Sequence, residues 1–263
     1  MDNPKIFLPA ALEAAREAGR YLLHGLSQKK EVEFKGQVDL VTVFDRRSEE
    51  MIYDRLSRAF PGHGFLAEEE IRRQADADYC WLVDPLDGTT NYAHGLPVFC
   101  VSIALSFRNR VILGVVYDPN REEIFTAVRG QGAFLNGEGI SVSGTDDLGR
   151  SLLATGFPYD VRSSQDNNLD HFSNFAVRAQ AIRRLGSAAL DLCYVACGRF
   201  DGYWEKKLKP WDLAAGSLLV EEAGGRVSDL EGGEFNVFSP HIVASNGYLH
   251  QSMLEILSLG LVK

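Results

Sequence analysis

Trp81-Leu82-Val83-Asp84-Pro85-Leu86-Asp87-Gly88-Thr89-Thr90-Asn91 is the stretch on which the reading of this chain turns. Its apolar start predicts a short buried strand over Tyr79–Val83 that ends at Asp84, where Pro85 stops the ladder and fixes φ. Gly88 then lets the backbone turn sharply. Such a turn aims Asp84 and Asp87 at one point and swings the carbonyl of Leu86 inward. Two carboxylates and a carbonyl make a hard oxygen site, suited to Mg²⁺ rather than to zinc. The N–H groups of Gly88, Thr89 and Thr90 open a helix and can cradle a phosphate beside that cation. Taken alone, both aspartates read equally well as turn and cap residues. An EF-hand is excluded, because the alternating ligands and the distant Glu are missing.

Three other places supply carboxylates beside similar punctuation. Glu68-Glu69-Glu70 follows the apolar pair Phe65-Leu66 and by itself reads as a solvated run or a first helical turn. Asp45 precedes a helix and by itself reads as its cap. Asp212 follows Pro210-Trp211 and opens another helix, whose first turn tolerates an acid.

Around these points the hydrophobic pattern alternates between helix and strand. Residues 5–26 read as a helix stopped by Gly25, and Val32–Val43 as a hairpin with a polar, loose tip at Lys35-Gly36-Gln37. A helix is predicted from Arg46 to Phe60. Val98–Phe107 alternates, with Val101, Ile103, Leu105 and Phe107 on one face and Cys100, Ser102, Ala104 and Ser106 on the other. Val111–Tyr117, Glu123–Val128 and Ala133–Leu135 follow, the last turning through Asn136-Gly137. Residues 98–143 are therefore mostly an antiparallel meander. The second half changes rhythm: strand Leu152–Thr155, helix Asn168–Gln180, helix Ser187–Cys197, strand Phe200–Trp204, helix Trp211–Ala223, strand Ile242–Ala244 and a last helix. The switch near 145–150 divides the chain into 1–148 and 149–263, two closely packed subdomains of an α+β or α/β layered protein.

Composition limits the partners. The chain has 263 residues, 45% of them hydrophobic, and Lys+Arg 27 against Asp+Glu 36 gives a formal net charge of −9. That disfavours nucleic acid and anionic membranes, which call for a positive field. Cys80, Cys100, Cys193 and Cys197 sit in apolar runs with no CxxC, as expected of small buried side chains in a reducing compartment. The first residues carry acids where a secretory signal needs bases, and no stretch nears the ~20 apolar residues of a membrane span. A cytoplasmic protein is the expectation.

The combination of motifs resembles the inositol monophosphatase family of Mg²⁺-dependent, lithium-sensitive phosphatases. Three signatures occur in order: FLAEEE at 65–70, WLVDPLDGTTNYAHGLP at 81–97 and KPWDLAAGSLLVEEAGG at 209–225, with VDLVTVFD at 38–45 and GSAALDLC at 186–193 also fitting. The resemblance covers nearly the whole chain. It implies the sugar-phosphatase fold, a layered α-β-α-β-α sandwich with an antiparallel-sheet first subdomain and a mixed α/β second subdomain, acting as one catalytic unit.

The resemblance also implies roles. Glu68, Asp84 and the carbonyl of Leu86 would hold a first metal, Asp84 would bridge to a second, and Asp87 and Asp212 would complete it. Two or three Mg²⁺ ions per site are implied, with Mn²⁺ a possible substitute. Ala67 and three glutamates stand where the family has Gly, Ser or Thr before a Glu pair, so Glu69 stays open as an alternative to Glu68. Asp45 and Thr89 would position or deprotonate the attacking water, with Glu68 sharing a third ion. Gly88 and Thr89 would bind phosphate, while Asp87, Gly186, Ala188, Glu205 and Asp212 fall where the family holds polyol hydroxyls.

The implied reaction is hydrolysis of myo-inositol monophosphate by in-line attack of water, with no covalent phosphoenzyme. Thr90 favours that branch, since relatives acting on adenosine bisphosphates or histidinol phosphate often show Lys there. Histidinol phosphate, fructose 1,6-bisphosphate or NADP are the alternative substrates, and a regulatory partner of the transcription machinery is the alternative of another class. A homodimer is implied, with no membrane and no direct nucleic-acid contact. His94 reads either as lining the site or as a helix-end residue; Lys206, Lys207 and Lys209 read either as drawing in phosphate or as a solvated strip. The Lys35-Gly36 tip is expected to close over the metals.

Overall fold

A computed structural model describes residues 3–28, 32–34, 40–74 and 76–259. After a 3₁₀ turn at Pro4–Phe7 comes α1 (Leu8–Gly25), then the antiparallel pair β1 (Val32–Phe34) and β2 (Leu40–Thr42). The Lys35-Gly36-Gln37 tip lies outside the described residues. Helix α2 (Val43–Ala59) begins ahead of the predicted Arg46, because Thr42 and Asp45 form a capping box that satisfies its first amides. Next are β3 (Gly64–Ala67), β4 (Arg72–Arg73), β5 (Tyr79–Asp87), α3 (Thr89–Ala93), β6 (Cys100–Phe107), β7 (Arg110–Asp118), β8 (Glu123–Val128), β9 (Ala133–Leu135) and β10 (Glu138–Gly139).

The remainder supplies β11 (Leu152–Thr155), α4 (Leu169–Ala176), β12 (Ala181–Arg183), α5 (Ala188–Ala196), β13 (Gly202–Lys206), α6 (Pro210–Glu222), β14 (Arg226–Ser228), β15 (His241–Ser245) and α7 (His250–Leu257). The predicted helix to Gln180 stops at Ala176, since the chain must extend again to form β12, a strand with no clear apolar signature. The larger sheet runs β10-β9-β8-β7-β6-β5-β3-β4, and the smaller β12-β11-β13-β15-β14.

The layers follow from which faces are apolar. Helices α1 and α2 bury Ala14, Leu22, Ile52 and Leu56 against Trp81, Val83, Val101 and Ile103 on one face of the larger sheet. Helices α5 and α6 fill the space between the sheets, with Leu192, Leu213 and Leu218 in one cluster with Leu82, Val116, Tyr203 and Ile242. On the outside, α4 and α7 bring Phe175 and Met253 onto Leu153, Trp204 and Val243. The order is therefore α-β-α-β-α. Sheets covered on both sides have no solvent face. That is why both faces of the alternating segment through β6 are buried, the small residues included. Small residues on the α6 side admit a close helix: a Cβ at Gly114 on β7 would lie 2.9 Å from the Cα of Ala215.

One departure from the sequence reading positions the site. The strand does not end at Asp84 but continues to Asp87, with an irregular register between the two. It lies inside the sheet, antiparallel to β6 and parallel to β3, with Ala67 opposite Val83. Because Ala67 lies opposite Val83, Glu68 leaves the end of β3 beside Asp84, which is still within β5 and paired with Ser102 of β6.

Candidate active site

Strand ends and helix starts meet at a cavity of about 400 Å³. Strands β3 and β5 bring Glu68, Asp84, Leu86 and Asp87; the turn into α3 brings Gly88 and Thr89; α5 brings Ala188, β13 Glu205 and α6 Asp212. Gly186 completes the predicted set on its wall. Glu68, not Glu69, lines the cavity.

The Glu68–Ile71 turn is set from behind. Glu49 of α2, 1% exposed, accepts the N–H groups of Glu69 at 2.7 Å, Glu70 at 2.8 Å and Ile71 at 2.7 Å. Glu68 N–H donates to Val83 O at 3.1 Å, which fixes Glu68 beside β5. Sequence reading passed over Glu49; its one signal is an acid on the apolar face that also carries Ile52 and Leu56.

Each aspartate is anchored by donors of the chain. Asp84 Oδ1 accepts Leu86 N–H at 2.9 Å, and Asp212 Oδ2 accepts Lys209 N–H at 2.7 Å. Asp87 Oδ2 accepts Ser187 Oγ–H and Ala189 N–H, both at 2.7 Å, joining the end of β5 to the start of α5. Gly88 takes φ +102°, and a Cβ there would lie 2.9 Å from Val98 O, so the turn requires glycine. Asn91 Nδ2 holds the loop from the other side, donating to Val98 O and Leu185 O at 2.8 Å each.

Asp45 does not line the cavity. It is fully buried, its Oδ2 accepting Thr42 N–H at 2.8 Å and Thr42 Oγ1–H at 2.6 Å, and it reaches the site only through Thr89. Thr89 Oγ1 sits 2.9 Å from Asp45 Oδ1 and 3.1 Å from Leu86 O. His94 is exposed at the end of α3, away from the cavity wall. Lys206, Lys207 and Lys209 do line it. Lys206 pairs with Asp166, and Lys207 Nζ lies 2.7 Å from Asp160 Oδ2. Arg72, Arg184, Asp191 and Tyr159 also line it, and sequence reading had singled out none of them.

Crowding dominates the electrostatics. Burial first, then the charges of Glu68, Asp87 and Asp212, pushes the Asp84 carboxyl well above the usual carboxylate range. Burial, then Glu68 and Asp87, does the same to Asp212. Glu205 is raised to about 7, mainly by burial, although the buried Tyr203 O–H donates to it. Among the described residues no group of three or more His, Cys, Asp or Glu side chains is set to hold an ion between them; the aspartates are turned onto the donors just named. The donor chemistry nonetheless fits a hard divalent cation: four mutually repelling carboxylates and Leu86 line one cavity, and a cation relieves that repulsion.

Comparison with known proteins agrees with the geometry. The family model described as "Inositol monophosphatase family" matches residues 4–259. The chain is 43% identical over 251 residues to an inositol-1-monophosphatase of Mesorhizobium japonicum, covering 94% of each chain. It is 45% identical over 259 residues to a protein of Pseudomonas aeruginosa named Nus factor SuhB, covering 95% of each. The solved inositol monophosphatase of Anabaena (Nostoc) sp. superposes with a TM-score of 0.89 at 43% identity, over 97% of this chain and 96% of that one.

Proposed function

The chain belongs to the inositol monophosphatase family and is a phosphatase, and from that premise we propose that its substrate is myo-inositol monophosphate, released as myo-inositol and phosphate. The observation that supports this most is the meeting, in one cavity, of the acidic strand ends Glu68, Asp84 and Asp87 with Gly186, Ala188, Glu205 and Asp212 from the other half. The first group suits a cation and phosphate, the second a ring of hydroxyls. Magnesium as the ion, inhibition by lithium and a homodimeric state belong to the same proposal. Among the described residues no helix is long and apolar enough to cross a membrane.

In this reading Glu68, Asp84, Leu86 O, Asp87 and Asp212 hold the cations, and Gly88 and Thr89 receive the phosphate on their N–H groups. When bound, Mg²⁺ supplies positive charge that activates water and steadies the leaving oxygen. The residues then have definite tasks. Thr89 Oγ1, with its proton shared between Asp45 Oδ1 and Leu86 O, turns its lone pairs to the cavity and accepts a hydrogen from water. Withdrawing that hydrogen aims the water oxygen at phosphorus. Asp45 receives the proton passed through Thr89; burial raises its affinity for a proton against the pull of the Thr42 and Thr89 hydrogen bonds. Glu205, held by Tyr203, orients the polyol so that the ester oxygen leaves opposite the water.

A panel of esters tests the substrate. Inositol 1-phosphate is expected to exceed histidinol phosphate, fructose 1,6-bisphosphate and NADP in kcat/KM; a reversed ranking ends the assignment. The name of the Pseudomonas relative supports a second reading, a regulatory partner of the transcription machinery. Capture of cytosolic proteins by wild type and by Asp87→Asn separates the two. Capture unaffected by the substitution, with no phosphate release by the wild type, favours the regulatory role.

A further inference from the structure

Asp191 stands in the wall of the same cavity, and none of the steps above uses it. It is 1% exposed, and its Oδ1 is buried without a hydrogen-bond partner. Buried carboxyls in folded proteins are normally satisfied, so an orphan of this kind calls for an explanation. Arg184, on the same cavity wall, acts on Asp191 only through its charge, and the other neighbouring donors are already taken. Ala189 N–H goes to Asp87, Leu190 N–H to Ser187 Oγ, Asp191 N–H to Ser187 O, and Tyr203 O–H to Glu205. Ala188 and Asp191, three apart on α5, share one helix face, and both line the cavity. Asp191 therefore lies one turn below a residue of the substrate wall, beside Glu205.

We propose that Asp191 is a specificity-determining residue of this pocket, which with Glu205 forms a pair of carboxyl groups holding neighbouring hydroxyls of the polyol. The inference rests on the polyol-phosphate reading given above. Asp191 lines the cavity with no hydrogen bond to its carboxyl group from the described residues of the chain, and a substrate hydroxyl is the partner it lacks. Burial, followed by the charges of Glu205 and Asp87, holds the Asp191 carboxyl well above the ordinary range against the opposing charge of Arg184. In its protonated form it offers a donor as well as acceptors, whereas Glu205 already takes the Tyr203 proton. A vicinal diol has the same mixture of donors and acceptors. A simple aryl phosphate has none to present.

The test compares myo-inositol 1-phosphate with 4-nitrophenyl phosphate in wild type, Asp191→Ala and Asp191→Asn at saturating Mg²⁺. In Asp191→Ala the ratio of kcat/KM for the inositol ester over the aryl ester falls roughly ten- to hundredfold, mainly through KM. Asn keeps a donor and an acceptor, so Asp191→Asn recovers the ratio to within about threefold of wild type. Melting temperatures without added metal stay level or rise by roughly 2–4 °C in both variants, because no hydrogen bond is lost and a crowded acid is removed. A purely structural role predicts the opposite: lower melting temperatures and equal losses on both esters. An unchanged ratio in Asp191→Ala, with wild type preferring inositol 1-phosphate, overturns the role of Asp191 alone. A wild type that hydrolyses the aryl ester and no polyol ester overturns the parent reading, and this inference with it.

Discussion

Thr89 Oγ1 lies 2.9 Å from Asp45 Oδ1, although 44 positions separate the two residues. The acid belongs to the first turn of α2 and the hydroxyl to the first residue of α3, so two helix starts are locked together at the site. Asp45 spends its other oxygen on Thr42 and has no freedom to approach the cavity itself. In the proposed mechanism, a proton reaches Asp45 only through Thr89.

This relationship predicts that Thr89→Val lowers kcat about 10²–10³-fold, the usual range for loss of a positioned acid–base group. KM is expected to change less than about threefold, since the substitution keeps the backbone N–H groups proposed to receive phosphate. Thr89→Ser retains the hydroxyl and most of the turnover. Phosphate release at saturating Mg²⁺ measures all three, and a Thr89→Val enzyme with near-normal kcat removes the relay.

How much of this was legible in the sequence depends on the range of the signal. The Asp84–Asn91 stretch carried its own punctuation, so the turn, its glycine and the paired aspartates could be read locally. Asp212 was legible locally only as an acid in the first turn of a helix that Pro210 opens; its place in the site came from the resemblance of 209–225 to the family. Parallel pairing of β3 with β5 was not, because no local pattern states which strands lie side by side, and that pairing alone puts Glu68 beside Asp84. Glu49 and Asp191 were illegible for a related reason. An acid in a helix reads as solvent-facing until the helix is packed, and only the tertiary fold shows both to be buried. The strand's continuation past Pro85 was missed because proline stops a regular ladder but not an irregular one.

In the proposed reading, repulsion among Glu68, Asp84, Asp87 and Asp212 is relieved by metal, which predicts a metal-dependent stability. Added Mg²⁺ is expected to raise the melting temperature of chelator-treated protein, by linkage of binding to the folded state. Asp212→Asn removes one of the repelling charges, so it melts higher than wild type in chelator and gains less from Mg²⁺. Its kcat falls by several orders of magnitude with the fold intact. Scanning calorimetry with and without EDTA, together with phosphate release, checks each part. A full Mg²⁺ response in Asp212→Asn contradicts the assignment of Asp212 to the cation.

Glu49 accepts three consecutive amides with its two oxygens. Glu49→Ala leaves those donors of the Glu68–Ile71 turn without their acceptor and is expected to destabilise the protein by about 2–4 kcal/mol in urea unfolding. Activity should fall as well, since the turn that presents Glu68 loosens. Higher Mg²⁺ is expected to recover part of that activity, which separates a displaced ligand from a lost one. Glu49→Gln keeps one carbonyl acceptor and falls between.

Glu205 gives a pH dependence with a definite sign. Its carboxyl is raised to about 7 in the fold, above the ordinary glutamate value, chiefly by burial. The folded protein thus binds this proton more tightly than the unfolded chain. That contribution to stability is complete below the unfolded value and is lost as pH rises through about 7. Glu205→Gln cannot titrate, yet it still accepts the Tyr203 hydroxyl. Unfolding in urea with EDTA should show the variant gaining on wild type by roughly 2 kcal/mol between pH 5 and pH 8, less than full burial implies because the group borders the cavity. Parallel stability profiles for the two proteins across that window mean that Glu205 ionises as an ordinary glutamate, and that the Tyr203 hydrogen bond outweighs its burial.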